Sequence, residues 1–196
     1  MSNEARISLV ARVAQLPTAQ GMAPSANPPI SILALAAASY GLRPSEDATV
    51  PTGFDPVAVA LFEAIVEGAY LVASADGVFD EGERRTFERV VVAACGGQVP
   101  QDRIQALVSD LADQLREDGA DQRIAAVAKA VSKKEHAQEV LRIAALLAAA
   151  TNDVSEIERD VLLKLARGCG LEEKDVDLAL AEVRKTLQAL HGRAPT

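Results

Sequence analysis

The run Ala75-Asp76-Gly77-Val78-Phe79-Asp80-Glu81-Gly82-Glu83-Arg84 joins two apolar helical patterns through a short acidic turn bearing a glycine. A weathered copy, Ala150-Thr151-Asn152-Asp153-Val154-Ser155-Glu156-Ile157-Glu158-Arg159, follows 75 residues later. Each helical hairpin carries an apolar stripe that is costly to leave in water, and the nearest surface of matching shape is the other hairpin. Aligning Glu83 with Glu158 sets Phe87 opposite Leu162, Val90 opposite Leu165 and Val91 opposite Ala166, apolar against apolar each time. Cys95-Gly96 and Cys169-Gly170 align only at an offset of 74, so the second helix should be one residue shorter. Glu67 falls opposite Arg142, a reversal of charge at matching depth. The register predicts two helix-turn-helix repeats packed about a pseudo-two-fold axis.

Hydrophobic residues make up 49% of the chain, yet only 3% are aromatic and Trp is absent. Ala, Leu and Val must therefore build the core, and Ala and Leu are among the best helix formers. No stretch alternates apolar and polar with β-branched enrichment, so strand signals are missing. The fold class is all-α: a bundle of about seven helices behind an N-terminal extension of short helices and linkers.

In that extension, residues 1–52, a helical pattern at Ile7, Val10 and Ala14 stops at Pro17. Thr18 to Pro29 reads as a mobile linker, Ile30 to Tyr40 as a small apolar helix closed by Gly41, and Arg43 to Gly53 as a second linker. Docking on the core, masking of a groove and partial disorder all remain open to it. The main domain, residues 53–196, begins at Asp55-Pro56, an N-cap followed by proline at the first helical position. Leu61, Ile65, Gly68, Val72 and Ala75 recur at helical spacing, and Gly77 stands where a left-handed cap wants glycine. Helices are expected at about Asp80–Cys95, Pro100–Glu117 and Ala120–Val131, with Asp118-Gly119 between the last two. In the second repeat, Val140 to Ala150 is apolar almost all round, interrupted by Arg142, which marks a central buried helix. Helices from Ser155 to Gly168 and Glu172 to about Leu190 complete the chain.

A net charge of −8 opposes a phosphate backbone as partner and suits cations or basic protein surfaces. Two cysteines are too few for a disulfide framework, and each precedes a glycine at a helix end, where it serves as a small apolar residue. The N-terminus makes a poor signal peptide, and Ile30 to Ala38 falls short of the roughly 20 residues of a membrane helix. The expectation is a cytoplasmic protein that neither binds nucleic acid nor inserts in a membrane.

The acidic corners have a structural explanation in part. Asp80-x-x-Glu83 and Ser155-x-x-Glu158 are both capping boxes, in which a side-chain oxygen caps the helix and the third-position glutamate reaches back. Asp76 is different: the pattern places it at the end of the preceding helix, where the dipole disfavours a carboxylate. Asp76, Asp80 and Glu83 bracket one tight turn, and converging hard oxygen ligands suit Ca²⁺ or Mg²⁺. The corner is not an EF-hand, because Val78, Glu81 and Phe87 stand where that loop needs an oxygen ligand, a glycine and a bidentate glutamate. No Glu-x-x-His, phosphate loop, nucleophile elbow or zincin motif occurs, and no nucleophile-base pair offers itself for catalysis.

An alanine-rich helix, then Ala75-Asp76-Gly77, Phe79, Asp80 and Glu83, with a looser echo at Val154, Ser155 and Glu158, resembles the tellurite-resistance TerB family. The resemblance covers roughly residues 56–190. It implies an all-helical, pseudo-symmetric, non-enzymatic domain tied to stress and metal resistance, with an acidic surface that takes up metal cations. Carried over, it makes Asp76, Asp80 and Glu83 the cation candidates and adds Glu158, while Thr151 and Asn152 depart from a second Asp-Gly. The rival expectation is an interaction or scaffold module that docks a basic protein partner without metal. A homodimer is compatible with either.

Overall fold

A computed structural model of the chain describes residues 3–17, 31–44, 54–77, 79–151 and 154–191. Both expected linkers lie largely outside these residues, as do Val78 and Asn152-Asp153 of the two corners. Among the described residues the fold is all-α: α1 (Asn3–Ala14), α2 (Ile32–Gly41), α3 (Pro56–Ala73), α4 (Glu81–Ala94), α5 (Gln101–Asp118), α6 (Ala120–Ala130), α7 (Lys134–Thr151), α8 (Glu156–Gly168) and α9 (Glu173–His191).

Helices α3 and α7 form the centre and pack on each other. α3 starts as its sequence dictates: the Val57 N–H donates to Asp55 Oδ1 at 2.9 Å, and Pro56 occupies the first turn, where no N–H is needed. A methyl group on Gly68 would lie 2.8 Å from Val140 Cγ1 and 3.2 Å from Leu165 Cδ2, so glycine lets α3 approach α7 and α8. With a mean hydropathy of 1.7 over 18 residues, α3 is long and apolar enough to cross a bilayer, and 67% of it is buried inside this fold. The positions matched across the repeats are buried in both copies: Phe87, Val90 and Val91 on α4, Leu162, Leu165 and Ala166 on α8. α4 has 14 residues and α8 has 13, the one-residue difference that the cysteines require. Each cysteine is the C-cap, and the glycine after it has positive φ, 59° at Gly96 and 73° at Gly170.

The N-terminal helices dock on this core. α1 lies on α4, α7 and α9 with Val10, Val13 and Ala14 buried, and α2 lies on α3 and α7 with Leu33, Ala36, Ala37 and Tyr40 buried. The Tyr40 ring stacks on Phe62 at a centroid distance of 4.6 Å. A buried ion pair on α7 holds both helices. Arg142 donates from Nε to Glu139 Oε2 (2.8 Å) and from Nη2 to Glu139 Oε1 (3.0 Å). The same guanidinium donates to the Val13 and Ala14 carbonyls at 3.2 and 3.1 Å, closing the C-terminal end of α1. Glu139 Oε1 accepts the Leu33 N–H at 3.2 Å in the first turn of α2. Cation at a helix C-terminus and anion at a helix N-terminus are the favourable pairings with the two dipoles.

Arg142 therefore does not meet Glu67, its match in the repeat. Glu67 pairs instead with Arg123 of α6 at 2.6 Å, and Arg123 also holds Asp118 at 3.1 Å. Burial raises the Glu67 carboxyl above its ordinary 4.5, and the Arg123 hydrogen bond works against that rise. A raised carboxyl binds its proton more tightly folded than unfolded. Its contribution to stability is thus present below about pH 4.5 and is lost as pH climbs through the raised folded value. Urea unfolding across that window should show wild type losing stability relative to Glu67→Gln as pH rises; a relative gain would mean that Arg123 outweighs burial.

Candidate functional site

The first corner is built by the end of α3, a turn, and the start of α4. α3 ends at Ala73, two residues earlier than its apolar stripe implied, with Ser74 as C-cap. The Ser74 N–H and Oγ both donate to the Tyr70 carbonyl, at 2.9 and 2.8 Å, which closes the helix, and Gly77 follows at φ 78°. Asp76 thus lies in the turn beyond the helix and is exposed. This corrects the expectation that it ends the helix, since the dipole's influence fades within the last turn. Phe79 anchors the turn, with its ring edge-on to Tyr70 (5.1 Å) and Phe87 (5.9 Å).

Both capping boxes are formed. Asp80 Oδ1 accepts the Gly82 and Glu83 N–H groups at 2.7 and 2.8 Å, and Glu83 Oε2 accepts the Asp80 N–H at 3.0 Å. At the second corner Ser155 Oγ accepts the Glu158 N–H at 3.2 Å, and Glu158 Oε2 accepts the Ser155 N–H at 2.8 Å. The structure therefore brings Asp80 and Glu83 together, places Asp76 in the same turn, and puts Glu158 at a different corner. Among the described residues no three acidic, His or Cys side chains gather in a metal-holding group.

The corners differ in what surrounds them. Next to the first, Arg84 pairs with Glu88 at 2.9 Å and Arg85 with Glu81 at 3.0 Å, both along α4. Beside the second, Arg159 reaches α9 and pairs with Glu173 (3.1 Å) and Asp177 (2.9 Å). A cleft of about 310 Å³ there is walled by Arg159, Arg184 and Asp177 over Ala149, Val154 and Leu180. These arginines were not singled out from sequence, although Glu81 with Arg85 and Arg84 with Glu88 show the i,i+4 spacing that could have found two of the pairs.

The cysteines act as apolar filler. Burial pushes the Cys95 thiol up to about 12, and Cys169, half-buried, is raised for the same reason. A thiol so raised stays protonated and is a poor nucleophile. Iodoacetamide at pH 8 should leave Cys95 unmodified in the folded chain and label both cysteines after denaturation; rapid labelling of folded Cys95 would contradict this packing.

Residues 62–181 match the family described as Tellurite resistance protein TerB. No curated protein and no solved structure matches the chain. The matched span opens at Phe62 in mid-α3, takes in both corners and closes within α9, so α1 and α2 lie outside it. Spanning more than half the chain, from mid-α3 through α8 into α9, the match identifies this protein as a member of the TerB family of tellurite-resistance proteins.

Proposed function

We propose that this chain is a non-enzymatic, stress- and metal-resistance-associated TerB domain whose first corner binds a divalent cation, Ca²⁺ or Mg²⁺, weakly. The observation that carries this reading is the economy of the capping box. It uses only Oδ1 of Asp80 and Oε2 of Glu83, which leaves one oxygen of each outside the box beside the exposed Asp76 turn. Those oxygens suit a hard cation that completes its shell with water or with a partner's oxygens. The second corner suits a cation less well, because Arg159 and Arg184 line its cleft; Glu158 is then a cap and a lesser candidate.

The non-enzymatic reading has its own support. Buried ionisable groups are committed to structural bonds: Glu67 pairs with Arg123 of α6, Glu139 accepts from the start of α2, and Arg142, although it lines a cleft beside Glu182, spends its guanidinium on Glu139 and the end of α1. Two free thiols suit a reducing, cytoplasmic setting. The pseudo-two-fold relation of the hairpins belongs to the same proposal, supported by matched burial, paired capping boxes and cysteine C-caps; an experimental structure in which α3–α4 and α7–α8 fail to superpose would refute it.

Thermal melting at constant ionic strength tests the site. With a dissociation constant of about 1 mM, 10 mM Ca²⁺ stabilises by about 1.4 kcal/mol, or roughly 3–6 °C for a chain of this length. That shift should fall to about 0.4 kcal/mol or less, under roughly 2 °C, in Asp76→Asn. A second reading, a metal-free scaffold that docks a basic partner, is favoured by the capping boxes themselves, which account for Asp80, Glu83 and Glu158 without any ligand. It predicts partner capture that survives chelator and weakens with salt.

A further inference from the structure

Alone among the described helices, α2 contains no charged residue: Ile32-Leu33-Ala34-Leu35-Ala36-Ala37-Ala38-Ser39-Tyr40-Gly41. Its inner face is accounted for, with Leu33, Ala36, Ala37 and Tyr40 buried against the core. Its outer face is also apolar. Leu35 is 55% exposed and Leu42, two turns on and just past the helix end, is 44% exposed, with exposed Ala38 between them. A surface helix ordinarily turns polar residues to water, and here two leucines and an alanine in line leave the outer face without one.

Charge narrows the occupant. A basic partner finds no acid on this face. A membrane surface is unsuited, since the face carries no Lys or Arg and a chain of net charge −8 is repelled by anionic lipid. For a second copy of the same chain, mutual repulsion is least where charge is absent, and α2 is that place. The row is also self-complementary. An antiparallel copy crossing between Ala38 and Ser39 sets Leu35 against Leu42 of the partner subunit, and its own Leu42 against Leu35 of the partner subunit. The small residues at the crossing allow close approach. Such mutual exchange is the rule for a two-fold contact. At its edge stands the Arg43–Glu63 ion pair (2.7 Å), which contributes one charge of each sign.

We propose that the chain self-associates as a two-fold dimer through the outer face of α2, outside the segment that defines its family. A stable interface buries about 800 Å² per partner, more than a ten-residue helix supplies, so the dimer is weak and concentration-dependent.

Sedimentation equilibrium of the full chain from about 5 to 500 μM tests it. The weight-average mass should climb from 20.6 kDa towards twice that value. Leu35→Glu, which sets an unpaired charge against Leu42 of the partner subunit, should hold the chain monomeric with an unchanged helical spectrum. Leu178→Glu, at an equally exposed leucine of α9, should leave association intact. Ser39→Cys should give a disulfide-linked dimer under mild oxidation. A wild type monomeric throughout, association that survives Leu35→Glu, or Leu35-dependent binding to vesicles without self-association would each overturn the proposal.

Discussion

Arg142→Ala should lower the unfolding free energy by about 3–5 kcal/mol, a large share of what a domain of this size possesses. The substitution strips Glu139, fully buried, of its counter-charge and leaves the Val13 and Ala14 carbonyls at the end of α1 without that donor. Removing one member of a buried pair costs more than the pair itself contributes, because the remaining charge stays out of water. Arg142→Lys keeps the charge but loses the fork that serves four acceptor oxygens, so it should recover only part of the loss. The damage should also be directional. Amide exchange should accelerate in α1 and α2, which the pair joins to α7, well before α8. A loss below about 1 kcal/mol, or exchange that rises equally everywhere, would show that the pair does not hold the N-terminal helices.

Phe62→Ala should cost about 3–5 kcal/mol through the cavity it opens in α3. Phe62 is fully buried and stacks on Tyr40, so the cost includes an aromatic contact of roughly 0.5–1.5 kcal/mol. Tyr40→Leu should cost less, and the double variant less than the sum of the two, since the residues share one contact. Chemical denaturation of the four proteins checks this. Strict additivity would mean that α2 is not seated on α3 by that stack.

The helices were legible because their punctuation is local. Asp55-Pro56, Asp80-x-x-Glu83, Ser155-x-x-Glu158 and the glycines after each cysteine fix chain conformation within a few residues, and the structure shows each in its expected role. α3 ends two residues before its apolar stripe does. Ala75 continues the apolar period, but its N–H turns to the Val72 carbonyl three residues back (3.1 Å) while the Ser74 hydroxyl bonds back to the Tyr70 carbonyl, so the α-helical ladder stops at Ala73. Asp76 moves off the helix with it. The docking of α1 was not legible, because it depends on an arginine about 130 positions away in sequence. Arg142 looked like a blemish in an apolar run. Its neighbour at i−3, Glu139, was the available clue that the charge is buried with a partner rather than turned to solvent. The candidate cation site was legible only as a set of acids in one turn, and two of the three also cap a helix.

Calorimetric titration of Ca²⁺ and Mg²⁺ into the wild-type chain and into Asp76→Asn tests the proposed role of that turn most directly. Wild type should give a weak, saturable heat with a dissociation constant of roughly 10⁻⁴–10⁻³ M, the weak end of the range of calcium sites. Asp76→Asn should bind at least tenfold more weakly, about 1.4 kcal/mol of binding free energy. Equal and negligible heats in both proteins would contradict it, leave Asp80 and Glu83 as helix caps alone, and favour the metal-free scaffold.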